Sequence, residues 1–138
     1  MLPNIIFEKI INNMILKKNC NINTFKNKIW INKEQLKILK KTQYICSHSI
    51  SHPINFNKLK YNIQEKEIKE SINYLENFLN CKINIFCCPC DNYNNDTIDI
   101  INKLNIYCFI GKLQTKETKN IINRIDINDY LNININIH

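Results

Sequence analysis

The stretch Lys82-Ile83-Asn84-Ile85-Phe86-Cys87-Cys88-Pro89-Cys90-Asp91-Asn92-Tyr93 decides the fold. Its first five residues are rich in Ile and Phe and short, which predicts a strand. The Cys-Pro-Cys-Asp-Asn group that follows is turn chemistry. Before it, Ile68, Ile72, Leu75 and Leu79 step by four, three and four, making one apolar stripe on a helix from about residue 63 to 79. Asn62 and Glu65 read as its capping pair, and Asn80 as its left-handed terminator. After the stretch, a helix over about 95–104 turns Ile98, Ile101 and Leu104 inward and ends at Asn105. Ile106-Tyr107-Cys108-Phe109-Ile110 is then a buried strand ending at Gly111. Strand, helix and strand in succession predict parallel β/α units.

Farther out, Gln43-Tyr44-Ile45-Cys46 reads as a short buried strand, and Asn123 to Ile127 as a last one. Asn32 with Gln35 forms a capping box that opens a helix from Lys33 to Lys41, with Leu36 and Leu39 facing inward. Residues 2–16 suit a short amphipathic helix, and 17–30 a polar connector. The alternating tail, Leu131 to His138, is an edge strand or disorder, and His138 is given no role.

At 138 residues, 44% hydrophobic and 22% charged, the chain is expected to be one soluble domain, 1–138. A single glycine leaves Asn to fill most positions of positive φ. The net charge is +7, but its lysines are spread out and not interleaved with aromatics. That pattern reads as a solvated surface and not as a nucleic-acid site. No basic start precedes an apolar core, and no apolar run approaches membrane-spanning length. Seven cysteines, an odd number, then point to free thiols in the cytoplasm.

Cys46-Ser47-His48-Ser49-Ile50-Ser51-His52-Pro53 carries two of the three histidines. Imidazoles at i and i+4 sit on one side of a turn and can reach one metal ion. The other reading of the pair is two polar loop residues without a ligand. The chemistry of α/β folds lies at the carboxyl ends of strands. The histidine turn and the Cys-Pro-Cys turn both fall there and can face one pocket. Cys87, Cys88 and Cys90 could join His48 and His52 around zinc, though they lack Cys-x-x-Cys spacing. Their alternative is small apolar filling.

Three stretches taken together resemble the polysaccharide deacetylases (the NodB-homology domain, carbohydrate esterase family four). Ile45 to Pro53 is similar to the family's Ile-Gly-Ser-His-Thr/Ser-x-x-His-Pro turn. The helix with Ser71-x-x-Tyr74-Leu75-Glu76 follows at the fitting distance. Phe86 to Tyr93 resembles the Phe-x-Tyr-Pro-Tyr/Phe-Gly-x-Tyr turn, Leu104 to Tyr107 sits where Leu-Gly-Tyr is common, and Arg124-Ile125 resembles a late Pro-Arg-Ile stretch. The match spans about 31–129, leaving 130–138 as tail.

The resemblance implies a partial or distorted (β/α) barrel of parallel strands alternating with helices. It implies a hydrolase that removes N-acetyl groups from a carbohydrate. His48 and His52 would hold a divalent metal, usually zinc. The backbone N–H of Cys90 would be the oxyanion donor, with Pro89 and Tyr93 at the substrate. Two departures stand out. The family's Asp-Asp motif, source of the general base and a third ligand, has no counterpart, and no aspartate precedes Asp91. The chain is therefore expected to begin after that strand. Two glycines of the family's turns are Cys46 and Asp91 here. Asp91, Asp96 and Asp99 are candidate replacement carboxylates. A truncated or weakly active deacetylase leads; a zinc- or thiol-binding module and a dead carbohydrate-binding remnant are the alternatives.

Overall fold

A computed structural model describes residues 4–19, 21, 30–111 and 119–124. The chain divides into two compact units, Met1–Tyr44 and Ile45–His138. In the first, α1 runs Asn4–Lys17 and α2 runs Lys33–Leu39. The predicted capping box opens α2: Asn32 N donates to Gln35 Oε1 and Gln35 N to Asn32 Oδ1, both at 2.9 Å. The expected inward face is absent, since no residue of α2 is buried and Leu39 is exposed. Capping and local backbone bonds, not core packing, specify this seven-residue helix.

The second unit is built on three parallel strands in the order β1 (Ile85–Cys87), β2 (Tyr107–Ile110) and β3 (Ile121–Asn123). Phe86 pairs with Cys108, and Cys108 with Ile121. The strand expected at 43–46 shrinks to one residue. Ser47 alone bridges Phe86, its N–H donating to Ile85 O at 2.9 Å and its carbonyl accepting from Cys87 N at 2.8 Å. Tyr44 is 94% exposed, so this segment lacks the two-sided burial that extends a strand. The last strand, expected from Asn123, starts two residues earlier, at Ile121, which is 2% exposed and pairs with Cys108; residues 125–127 of the expected strand lie outside the described residues.

Between Ser47 and β1, α3 runs Tyr61–Leu79; α4, Asn95–Leu104, connects β1 to β2 and packs on α3. The predicted stripe holds: Ile68, Ile72 and Leu79 are buried and Leu75 is half-buried. The Asn62–Glu65 cap does not form, since α3 begins at Tyr61 and takes Asn62 inside. Gln64 does related work from within the first turn. It is fully buried; its amide donates to Leu59 O at 2.9 Å, and its Oε1 accepts from Thr97 Oγ1 at 2.5 Å. Asn94 caps α4 reciprocally with Thr97 and donates to Asn57 O at 2.7 Å. Thr97, Ile100 and Ile101 form the inner face of α4, while Ile98 and Leu104 are half-buried. Phe56, Phe86, Ile83, Ile106 and Ile110 complete the core, with the Phe56 and Phe86 rings 5.9 Å apart.

Asn80 and Asn105 take the left-handed conformation at φ 47° and 50°, as a chain with one glycine requires. Among the described residues no helix is long and apolar enough to cross a membrane. Residues 131–138, with His138, lie outside the described residues, as does most of the 17–30 connector.

Candidate functional site

Apart from Asn19 (47°), just after α1, four further described residues have positive φ: Ser49 (66°), His52 (50°), Cys90 (51°) and Asp91 (53°). None is glycine, so each carries backbone strain that its surroundings must offset. They fall on the histidine loop and the proline turn, the two places where the sequence puts its chemistry.

The histidine loop starts from a fixed point. Ser47 is fully buried; its Oγ donates to Ser71 Oγ at 2.5 Å, and Ser71 Oγ donates to Ile68 O at 2.9 Å. His48 is exposed, with Nδ1 2.9 Å from Cys87 O. A carbonyl only accepts, so Nδ1 carries a proton, and in the neutral ring Nε2 is the nitrogen with the free lone pair. That is the tautomer a metal-ligating histidine needs. The His48 and His52 ring centroids lie 4.8 Å apart at 66°. His52 N donates to Ser49 Oγ at 3.1 Å, closing the turn, and Pro53 is buried behind it.

The same loop is gripped from α3. Glu67 Oε2 accepts from both Ile50 N and Ser51 N at 2.9 Å, and Oε1 accepts from Ser51 Oγ at 2.8 Å. Glu67 was not among the residues singled out from sequence. The signal was there: a carboxylate one helical turn before Ser71, on the helix that follows the histidines.

On the other side, Pro89–Asp91 is a 3-10 turn in which Asn92 N donates to Pro89 O at 3.0 Å. Pro89 is fully buried, Tyr93 half-buried and Cys90 exposed. Asp91 occupies a position of positive φ and accepts from Arg124 Nη2 at 2.7 Å. Its carboxylate lies against Gly111, where any Cβ would overlap Asp91 Oδ2 and Cγ. Asn92 Nδ2 donates to Ile54 O at 2.6 Å. The two turns are thus joined at two points, through Cys87 O and Ile54 O. A groove of about 520 Å³ opens beside His48, lined also by Ser49, Ile50, Glu70, Ser71, Tyr74 and Leu75.

The cysteines take other roles. Cys88 and Cys108 are buried with their sulfurs 3.5 Å apart; the mutual hydrogen bond and burial push the Cys88 thiol upward. Burial, then the neighbouring Cys46, push the Cys87 thiol up to about 11. Among the described residues no three His, Cys, Asp or Glu side chains are placed to hold one metal ion. The zinc–thiol arrangement is therefore corrected: Cys87, Cys88 and Cys90 do not join the histidines. Asp91 pairs with Arg124, and Asp99 with Lys103 at 2.7 Å and Tyr61 at 3.0 Å, so neither is a ligand; Asp96 sits in the first turn of α4. Two neighbouring imidazoles, that of His48 in the right tautomer, fit half of a tetrahedral zinc site.

The family profile described as polysaccharide deacetylase matches residues 9–109. The chain belongs to the polysaccharide deacetylase family. A Streptococcus pyogenes deacetylase, PplD, solved in complex with acetate, is similar over 69% of this chain at 25% identity and TM-score 0.60. A mutant of BA3943, described as a CE4 family pseudoenzyme, is similar over 56% of this chain at 19% identity and TM-score 0.52, which speaks to fold alone. This deacetylase-family chain spans 44% of the length of the first structure and 28% of the second. No match was found among curated protein sequences. The α/β architecture, parallel strands alternating with helices, is thus part of the deacetylase fold. The family match runs across both compact units and begins earlier than the motifs alone suggest.

Proposed function

We propose that this chain is a metal-dependent deacetylase unit that removes N-acetyl groups from a carbohydrate. The single observation that supports this most is the His48–Cys87 O bond, which frees Nε2 beside a second imidazole. A divalent ion bound there, zinc by donor chemistry, supplies a polarised acetyl carbonyl and an acidified water. His48 and His52 hold it. Cys90 lifts its amide on a left-handed turn; that N–H donates to no acceptor among the described residues and suits a developing oxyanion. Pro89, buried beneath, fixes that amide, and Tyr93 flanks the sugar. We take the two units as parts of one domain, and seven cysteines, an odd count, as suited to a reducing compartment such as the cytoplasm.

A second reading is a carbohydrate-binding remnant with little turnover. It is favoured by the lack, among the described residues, of a third ligand grouped with the two histidines. Metal analysis and a deacetylation assay on N-acetylated oligosaccharides separate the two. Zinc lost in His48→Ala together with acetate release by the unmodified chain supports the enzyme. Zinc binding without acetate release supports the remnant. No zinc binding by the unmodified chain sinks the metal-dependent enzyme reading.

A further inference from the structure

Glu67 is a half-buried carboxylate whose three hydrogen bonds all go to the histidine loop, and this pattern is not explained by packing. Two of its donors are consecutive backbone amides, Ile50 N and Ser51 N, both at 2.9 Å on Oε2; the third is Ser51 Oγ, 2.8 Å from Oε1. Those residues lie midway between His48 and His52. The loop they form is bent through two non-glycine residues of positive φ, Ser49 and His52. A free loop would relax such angles, because each disfavours the bent form. Glu67 and Ser71 stand one turn apart on the same face of α3. Ser71 holds the root of the loop through Ser47 Oγ, and Glu67 holds its crown. His48 is then fixed at its ring by Cys87 O, while His52 has no ring bond of that kind among the described residues. Its placement depends on the backbone that Glu67 clamps.

We infer that Glu67 is a positioning residue that sets the spacing of the two imidazoles for a shared divalent cation. It touches neither the ion nor the substrate; it acts through the amides of residues 50 and 51. This rests on the metal reading above; partners hydrogen-bonded directly to a ligand are worth about 10- to 100-fold in metal affinity, and a clamp one step further out sits at or below that range.

The test is zinc affinity by competition with a chromophoric chelator, on the full chain and four variants: Glu67→Ala, Glu67→Gln, Ser51→Ala and Glu65→Ala. Glu67→Ala is expected to bind zinc more weakly, by about 10-fold, the low end of what direct partners of a ligand contribute. Glu67→Gln restores most of the loss, since the amide oxygen accepts from both N–H groups and its NH₂ donates to Ser51 Oγ. Glu65, on the same helix and paired with Lys69, serves as control and leaves affinity unchanged. A merely structural role would lower the melting temperature of Glu67→Ala and leave the affinity of the folded fraction alone. Zinc affinity of Glu67→Ala equal to the unmodified chain, with His48→Ala still losing zinc, overturns the inference and spares the metal reading. Should Glu67→Ala not fold, Ser51→Ala removes one of the three bonds; weaker zinc binding supports the clamp and unchanged binding overturns it. An unmodified chain that binds no zinc overturns the metal reading itself.

Discussion

Gly111→Ala probes the proline turn through a residue that touches no metal or substrate. The only glycine in the chain has its Cα against the Asp91 carboxylate, and a new Cβ would overlap Oδ2 and Cγ and approach Oδ1 within 2.8 Å. Gly111 does not have positive φ, so Ala is compatible with its backbone and only the space is wrong. To admit the methyl, Asp91 must swing away and release Arg124. The ion pair is partly exposed, 39% and 47% at the side chains, so its loss costs only about 0.2–1 kcal/mol. Overpacking against a turn of positive φ adds about 1–3 kcal/mol. The single variant should therefore lose about 1–4 kcal/mol of unfolding free energy.

The second half of the cycle is Asp91→Gly. It forfeits the ion pair but removes roughly 1–2 kcal/mol of left-handed strain, and it gives back part of that through a looser unfolded chain, about 0.4–1 kcal/mol. Its net effect should lie close to zero. In that background Gly111→Ala meets no carboxylate and becomes neutral or slightly stabilising. Urea unfolding followed by circular dichroism at one temperature gives all four corners. The expected coupling is about 1–3 kcal/mol, well above the ~0.5 kcal/mol scatter of independent sites. Additivity within that scatter would refute the seating of Asp91 on Gly111, and with it the account of how an aspartate replaces a turn glycine here.

Gln64→Leu should cost about 1–3 kcal/mol by denaturant unfolding, because Leu59 O and the Thr97 hydroxyl then lose a partner in the core. Desolvation raises the Cys87 thiol to about 11 from an ordinary 9.0, so the folded chain holds that proton more tightly than the unfolded one. The stabilisation is complete below pH 9 and disappears as pH rises through 11; a Cys87→Ala variant should show a flatter stability profile over that window. Among the described cysteines, iodoacetamide at neutral pH should alkylate Cys90 first and leave Cys88 and Cys108 untouched until unfolding, read by peptide mass spectrometry.

Legibility along the chain followed the range of the forces involved. The stripe of α3, the capping box of α2, the Asn80 and Asn105 terminators and the parallel order of β1 and β2 all rest on neighbours within a turn or on pattern period, and these were readable. The Asn62–Glu65 cap misled because the true first turn is chosen by Gln64, whose partners Leu59 O and Thr97 are tertiary. The 43–46 strand misled for the same reason in reverse: its apolar pattern is right, but only Ser47 finds a partner.

The site divides along the same line. That His48 and His52 could face one ion followed from their spacing alone. That His48 has its lone pair on Nε2 did not, since this needs the carbonyl of Cys87, 39 residues away. Glu67 was easy to pass over for a different reason: on a helix whose outer face is Glu and Lys, one more glutamate one turn before Ser71 looks like solvated charge until its donors are seen. Glu65 and Glu70 on the same helix pair with Lys69 and Lys66, as surface charge does. Glu67 instead points its oxygens at two amides and a hydroxyl of another segment. A carboxylate that spends all of its observed bonds on one loop bent through positive φ is maintaining a shape, and the shape it maintains is the one that keeps two imidazoles side by side.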